Sequence, residues 1–150
     1  MMAVSSRTAV AVHALTFLAQ WEREGLQSSA KIAESLESNP VLVRRVLGLL
    51  RDNGLVYPVE GSGGGWQLAM PAEQITLHDA YVAVEPGATV LPVHTHPPNQ
   101  SCVIGRHMPP LLEAEFAAAQ RAMEDRLTQT SIADLLRSVI RREGATPAPH

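Results

Sequence analysis

Between Asn39 and Gly54 the chain spells out one helix with both ends marked, and a hairpin follows it at once. Ser38-Asn39 offers an N-cap, and Pro40 stands at the first helical position, where a missing N–H costs nothing. "VLVRRVLGLLRD" follows, and Asn53-Gly54 supplies a left-handed stop. Two extended runs come next, Leu55–Glu60 and Trp66–Ala69, separated by Gly61-Ser62-Gly63-Gly64-Gly65. Strand, glycine loop, strand predicts a hairpin with an open tip. The glycines are no phosphate loop, because no Lys follows them and Lys31 is the chain's only lysine. Nor do they form a dinucleotide fingerprint, which needs a helix directly after the glycines.

The punctuation on either side predicts further helices. Ser5 or Ser6 can cap a helix reaching about Glu24, with Val10, Leu15, Leu18 and Trp21 on its apolar stripe and Gly25 ending it. Ser28 or Ser29 caps a short helix in which Ile32 and Leu36 share a face. Thr76-x-x-Asp79 has the form of a capping box and opens a helix to about Glu85. Residues 86–110 contain six Pro and no helical period, and read as a long Pro/His-rich loop. From Leu111 to Leu127 a helix returns, with Leu112, Phe116, Ala119, Met123 and Leu127 on one narrow apolar seam. Ser131-x-x-Asp134 caps a last short helix to about Arg142, and 143–150 reads as a tail. An apolar seam facing water is an association surface, so residues 111–142 are expected to pair with a second copy.

Charge and cysteine usage narrow the function. A net charge of −3 argues against nonspecific coating of nucleic acid, yet the acidity is uneven. Residues 1–60 balance six basic against six acidic residues, while 71–150 carry six Arg against nine acidic residues. The N-terminal half can therefore present a local basic face. One Cys forbids an internal disulfide framework, and no run is long or apolar enough to span a bilayer, so a cytoplasmic protein is expected. The apolar start mimics a signal peptide but runs into a charged amphipathic helix without a clean cleavage site.

Two short helices separated by a tight turn have the size of a helix-turn-helix, whose second helix enters the major groove. With Val43, Val46, Leu47 and Leu50 turned inward, Asn39, Val41, Leu42, Arg44, Arg45 and Arg51 lie nearer the outer side. Arg suits guanine or phosphate, and Asn suits adenine or phosphate. A glycine-rich tip beside such a helix can lie close to the DNA backbone or minor groove. The same helices and hairpin also build protein-interaction modules, and arginines on a helix are often only a solvated face.

The order "SSAKIAESLESNPVLVRRVLGLLRDNGLV", "GSGGGWQLA", "ITLHDAYVAVE" resembles the Rrf2 family of bacterial winged-helix transcription regulators. The family's wing pattern is matched by Gly61, Gly64, Gly65, Trp66, Leu68 and Ala69, with Trp for the usual Tyr or Phe and Met70 where Arg often stands. The resemblance implies a mostly α fold with a small β-hairpin. It places a winged helix-turn-helix DNA-binding domain at 1–85, followed by the loop at 86–110 and a dimerisation helix. It also implies a homodimer on a palindromic operator in double-stranded DNA. Carried over by position, Asn39, Val41, Leu42, Arg44 and Arg45 would contact base or phosphate. Ser28 or Ser29 would touch phosphate, and Gly61 to Gly65 would form the DNA-facing wing.

One departure bears on mechanism. Iron–sulfur members of the family hold their cluster with three closely spaced cysteines, and this chain has Cys102 alone. No cofactor is therefore expected, and the resemblance turns to members in which a lone Cys or a small metabolite carries the signal. Arg106 and His107 could favour the Cys102 thiolate. His94, His96, Cys102 and His107 lie within fourteen residues, but their spacing matches no structural zinc signature. The rival reading makes this His/Cys loop a metal-binding or catalytic element and the helix-turn-helix a protein-interaction module. No Ser/His/Asp order, carboxylate pair or metal triad supports an enzyme, so the expectation is a repressor.

Overall fold

A computed structural model describes residues 5–145. Within them the elements run α1 (Arg7–Gln20), α2 (Ser29–Leu36), α3 (Pro40–Asp52), β1 (Val56–Val59), β2 (Gly65–Leu68), α4 (Leu77–Val84), α5 (Val103–Leu127) and α6 (Ile132–Ala145). The caps form as the local chemistry demands. The Ser28 side chain accepts from the Lys31 amide, and Asn39 Oδ1 accepts from the Val41 amide at 2.8 Å. At the far end of α3 the Leu55 amide reaches Leu50 O at 3.0 Å and the Gly54 amide reaches Arg51 O at 2.9 Å. This six-to-one, five-to-two pair needs Gly54 at φ 75°, a left-handed position that a side chain would oppose.

One core joins α1, α2, α3, α4, the hairpin and the start of α6. Val43, Val46, Leu47 and Leu50 of α3 are wholly buried, and they meet Ala11, Ala14 and Leu15 of α1, Ile32 of α2 and Ala80 and Val84 of α4 in one apolar cluster. Each such Val or Leu contributes roughly 1.5–3 kcal/mol by leaving water. The entries to α4 and α6 are stitched together. Thr76 and Asp79 form a reciprocal capping box, as do Ser131 and Asp134. Between the two boxes the Leu77 amide donates to Thr130 O at 3.0 Å and the Ile132 amide to Ile75 O at 2.8 Å. The cap holds the Asp134 carboxyl below its usual range, chiefly through the hydrogen bond from the Ser131 backbone.

The hairpin pairs Val56 with Leu68, Tyr57 with Gln67, Pro58 with Trp66 and Val59 with Gly65. Trp66 turns its own N–H and C=O the other way, to Gln27, with N···O distances of 2.8 and 3.1 Å. Pro58 therefore faces a residue that asks it for no hydrogen bond, and its missing N–H costs no rung. The segment before α2 thus adds a one-residue third strand to the wing.

Three boundaries differ from the sequence reading. The first helix stops at Gln20 and passes into a 3₁₀ turn at Glu22–Glu24. The loop expected over 86–110 ends at Cys102, and α5 begins at Val103 instead of Leu111, with Pro109 and Pro110 inside it. Two prolines delete two backbone bonds, but the preceding turns are secured elsewhere. The Arg106 amide donates to Cys102 O at 2.9 Å, and Gly105 packs so tightly on Asn99 that a Cβ there would lie 2.3 Å from the Asn99 carbonyl oxygen. Finally, α6 passes Arg142 to Ala145, taking in the start of the expected tail; residues 146–150 lie outside the described residues.

The wing glycines divide by cause. Gly61 and Gly63 take positive φ (95° and 79°) with open space around them, whereas a Cβ on Gly64 would stand 2.2 Å from Val59 O. Gly64→Ala should therefore cost about 1–3 kcal/mol and free the Trp66 amide to exchange, while Gly61→Ala strains only its own backbone, by roughly 1–2 kcal/mol. Urea unfolding with amide exchange measures both; a Trp66 amide equally protected in the two variants would refute the tight closure at Gly64.

Candidate nucleic-acid interface

Because one face of α3 is spent on the core, the opposite face must point away from it. The helices α2 and α3 are joined by only Glu37, Ser38 and Asn39, with Glu37 in the left-handed region at φ 49°. Val41 is 53 % exposed, and Arg44 and Arg45 are exposed and form no ion pair with any described residue. Arg51 pairs with Asp52 at 3.2 Å, an exposed contact that a phosphate can displace. Leu42, expected on the outer side, is half-buried and packs against the core cluster. Its place one residue before Val43 turns it toward the flank of the helix, so it can offer at most an edge to DNA.

The caps limit what two of the expected contacts can do. Asn39 Oδ1 already accepts from the Val41 amide, so a two-bond match to adenine, which needs that oxygen, would open the cap. Its Nδ2 remains a donor for phosphate. Ser28 Oγ accepts from the Lys31 amide at 3.2 Å, and its hydroxyl proton can still be given to a phosphate oxygen. Ser29 is half-buried and Lys31 exposed on the same first turn of α2.

Of the five tip residues only Gly61, Ser62 and Gly63 are exposed; Gly64 and Gly65 are half-buried, and a Cβ on Gly65 would lie 2.8 Å from Gln27 O. The five wing positions are thus three contact candidates and two packing positions. The chain has no Lys or Arg between Arg51 and Arg106, and the exposed Glu60 stands beside the tip. Any contact the tip makes with DNA must come from backbone N–H groups and the Ser62 hydroxyl, without a cation.

The other expected residues do not converge. Cys102 is exposed at the N-cap of α5; His94 and His96 are exposed on the segment before it, and His107 is exposed on α5 itself. The described residues contain no group of three or more His, Cys, Asp or Glu placed to hold a metal ion. An iron–sulfur cluster draws on several thiolates, and this donor set of one exposed thiol does not fit one.

Along α5, Leu112, Phe116, Met123 and Leu127 are half-buried and Ala119 is exposed. Phe116 lines a cleft of about 370 Å³ together with Leu91, Pro92 and Val93. Gly105 is the helix's only buried residue, and Val103, Ile104 and Leu111 are each more than 60 % exposed. Polar contacts invisible in the sequence tie α5 to α4. Gln120 Nε2 donates to Tyr81 Oη at 2.9 Å, and His78 Nε2 lies 3.1 Å from Glu124 Oε1. That histidine contact leads the causes that hold the Glu124 carboxyl below its usual range. Sequence reading also passed over Gln27, whose backbone seats Trp66, and Gly48, an unexplained glycine within α3.

Among the described residues no helix is long and apolar enough to cross a membrane. The profile of the Rrf2 family, described as iron-dependent transcriptional regulators, matches residues 4–138. A Bacillus subtilis (strain 168) protein named as an HTH-type transcriptional regulator, YwnA, is 35 % identical over 133 residues, covering 89 % of this chain and 96 % of the relative. The HTH-type transcriptional regulator IscR of Cereibacter sphaeroides is 30 % identical over 149 residues, covering 98 % and 95 %. The solved structure of T. potens IscR superposes with a TM-score of 0.72 at 23 % identity, over 99 % of this chain and 94 % of that one, a likeness of fold. With its helix-turn-helix, its wing and the match along most of its length, the chain belongs to the Rrf2 family of winged-helix, DNA-binding transcriptional regulators.

Proposed function

We propose that the protein is a sequence-specific repressor that binds a palindromic operator as a homodimer, without an iron–sulfur cluster. The observation that carries this reading is the outer face of α3, where Val41, Arg44 and Arg45 stand exposed and unpaired beside an open wing tip. Ser28 and Asn39 supply phosphate donors at the N-terminal ends of α2 and α3. The dimer is supported by a 25-residue α5 that leaves Val103, Ile104 and Leu111 in water. Two copies present two α3 helices, whose separation must match half-sites about 34 Å apart.

Regulation is assigned to Cys102. Its exposure and its place at the start of α5 let an adduct there re-space the two reading heads. An oxidant such as peroxide takes two electrons from two Cys102 thiolates to give an inter-subunit disulfide, or oxidises one so that a small thiol caps it. A metabolite in the cleft beside Phe116 is the second reading, supported by that cleft's place between α5 and the segment that leads into it.

Three outcomes are expected. Arg44→Ala and Arg45→Ala should each lose ~1–3 kcal/mol per half-site, with relaxed specificity where guanine is read or a smaller salt slope where phosphate is held. Gel shift on DNA enriched by the protein from its own fragmented genome measures this; undiminished binding by both variants would mean that α3 does not face DNA.

Glu60→Gln removes a negative charge beside the phosphates and should tighten binding on all sequences, by up to about 1 kcal/mol per wing, more at low salt. An affinity indifferent to both the substitution and salt at that position places the wing away from DNA. Peroxide or diamide should release wild-type protein from the operator and leave Cys102→Ser bound. If the two respond alike, the thiol is no sensor and the metabolite reading takes its place.

A further inference from the structure

Position 48 is where α3 departs from its own interest. A glycine inside a helix weakens it relative to alanine, because the backbone gives up more freedom and gains no packing. Such a residue is usually explained by a neighbour too close for a side chain, as at Gly64, Gly65 and Gly105, where a Cβ would lie 2.2, 2.8 and 2.3 Å from backbone oxygens. At Gly48 a Cβ meets only Nη2 of Arg51, at 3.7 Å, the far end of a flexible side chain in ordinary contact. Nor is Gly48 among the positive-φ glycines. The fold would accept alanine here and gain from it.

What position 48 does share is a face. Val41, Arg44, Arg45 and Gly48 are spaced three, four and seven residues from the first, which places them together on the side opposite Val43, Val46, Leu47 and Leu50. A helix lying in the major groove presents residues at this spacing to base edges. Three of the four carry side chains, and at the fourth the helix surface recedes to bare backbone. In an α-helix the N–H and C=O groups of an interior residue are already spent within the helix, so the notch at Gly48 offers no hydrogen bond. Only an apolar projection can fill it, and the major groove has one, the C5-methyl of thymine.

We infer that Gly48 is the close-approach point of α3 on DNA, its bare Cα receiving a thymine methyl that any larger residue would push away. The inference rests on α3 being the groove-reading helix and deepens that reading. Arg51, whose guanidinium lies over the notch and pairs with the exposed Asp52, swings aside to a phosphate when the helix seats.

The test uses full-length Gly48→Ala, with thermal unfolding beside gel shift on the genomic fragment enriched by wild type. Expected are a melting temperature raised by a few degrees and an affinity lowered at least tenfold. The fragment is then made with uracil in place of each thymine of a half-site in turn, which deletes one methyl at a time. At one position Gly48→Ala should recover most of its lost affinity, while wild type weakens there. Gly48→Ala binding like wild type, losing stability together with affinity, or recovering on no uracil fragment would each overturn the inference. Arg44→Ala and Arg45→Ala, run alongside, separate the two failures. If they lose affinity while Gly48→Ala does not, only the role of Gly48 falls; if all three bind normally, α3 is not the reading helix.

Discussion

Burial of four side chains on one side of α3 organises everything that the molecule offers to DNA. Val43, Val46, Leu47 and Leu50 are wholly buried, and a helix anchored by those four positions has no rotational freedom left. Its opposite face is then fixed without any direct contact: Val41, Arg44, Arg45 and Gly48 must look outward. The two caps set the length of the presented surface, Asn39 at the start and the Gly54 turn at the end. The same Gly54 turn delivers the chain into β1, so the position of the wing follows from the end of α3.

The wing is held by backbone and not by bulk. Trp66 bonds to Gln27 on the edge of β2 turned away from Pro58, which joins the approach to α2 to the hairpin beyond α3. The two sides of the helix-turn-helix are thereby linked around its rim. Glycines serve this in two ways: Gly64 and Gly65 allow backbones to touch, while Gly61 and Gly63 bend the tip. A wing without a single cation, flanked by Glu60, differs electrostatically from the arginine-bearing α3. Positive charge is thus concentrated on the helix, and the tip offers only backbone groups and the Ser62 hydroxyl. The family is described as iron-dependent, yet here the segment before α5 brings one thiol and dispersed histidines, and α5 itself is tied to α4 by polar contacts.

Much of this was legible in the residues. The ends of α3, the capping boxes at Thr76 and Ser131 and the inward row of α3 are all local rules, satisfied by neighbours a few residues apart, and all appear where the sequence puts them. Two kinds of feature were not legible. The start of α5 was misplaced, because the turns before Pro109 are held by Gly105 against Asn99, a contact that no propensity expresses. Long-range polar pairs such as His78 with Glu124 were missed, because partners 46 residues apart have no pattern to read.

The sequence by itself determined the order of elements, the identity of the buried stripe and the glycine-rich wing, since periodicity, caps and turn chemistry act within one or two turns of chain. Only the tertiary structure decided which of those residues remain available. Asn39 proved half committed to its cap, Leu42 proved to be a flank of the core, and Gly64 and Gly65 proved to be packing positions, whereas Gly48 proved to be a glycine the fold does not need. The reason is physical. A residue type states what a side chain can do, but whether its atoms are already engaged depends on which backbone the fold brings beside it.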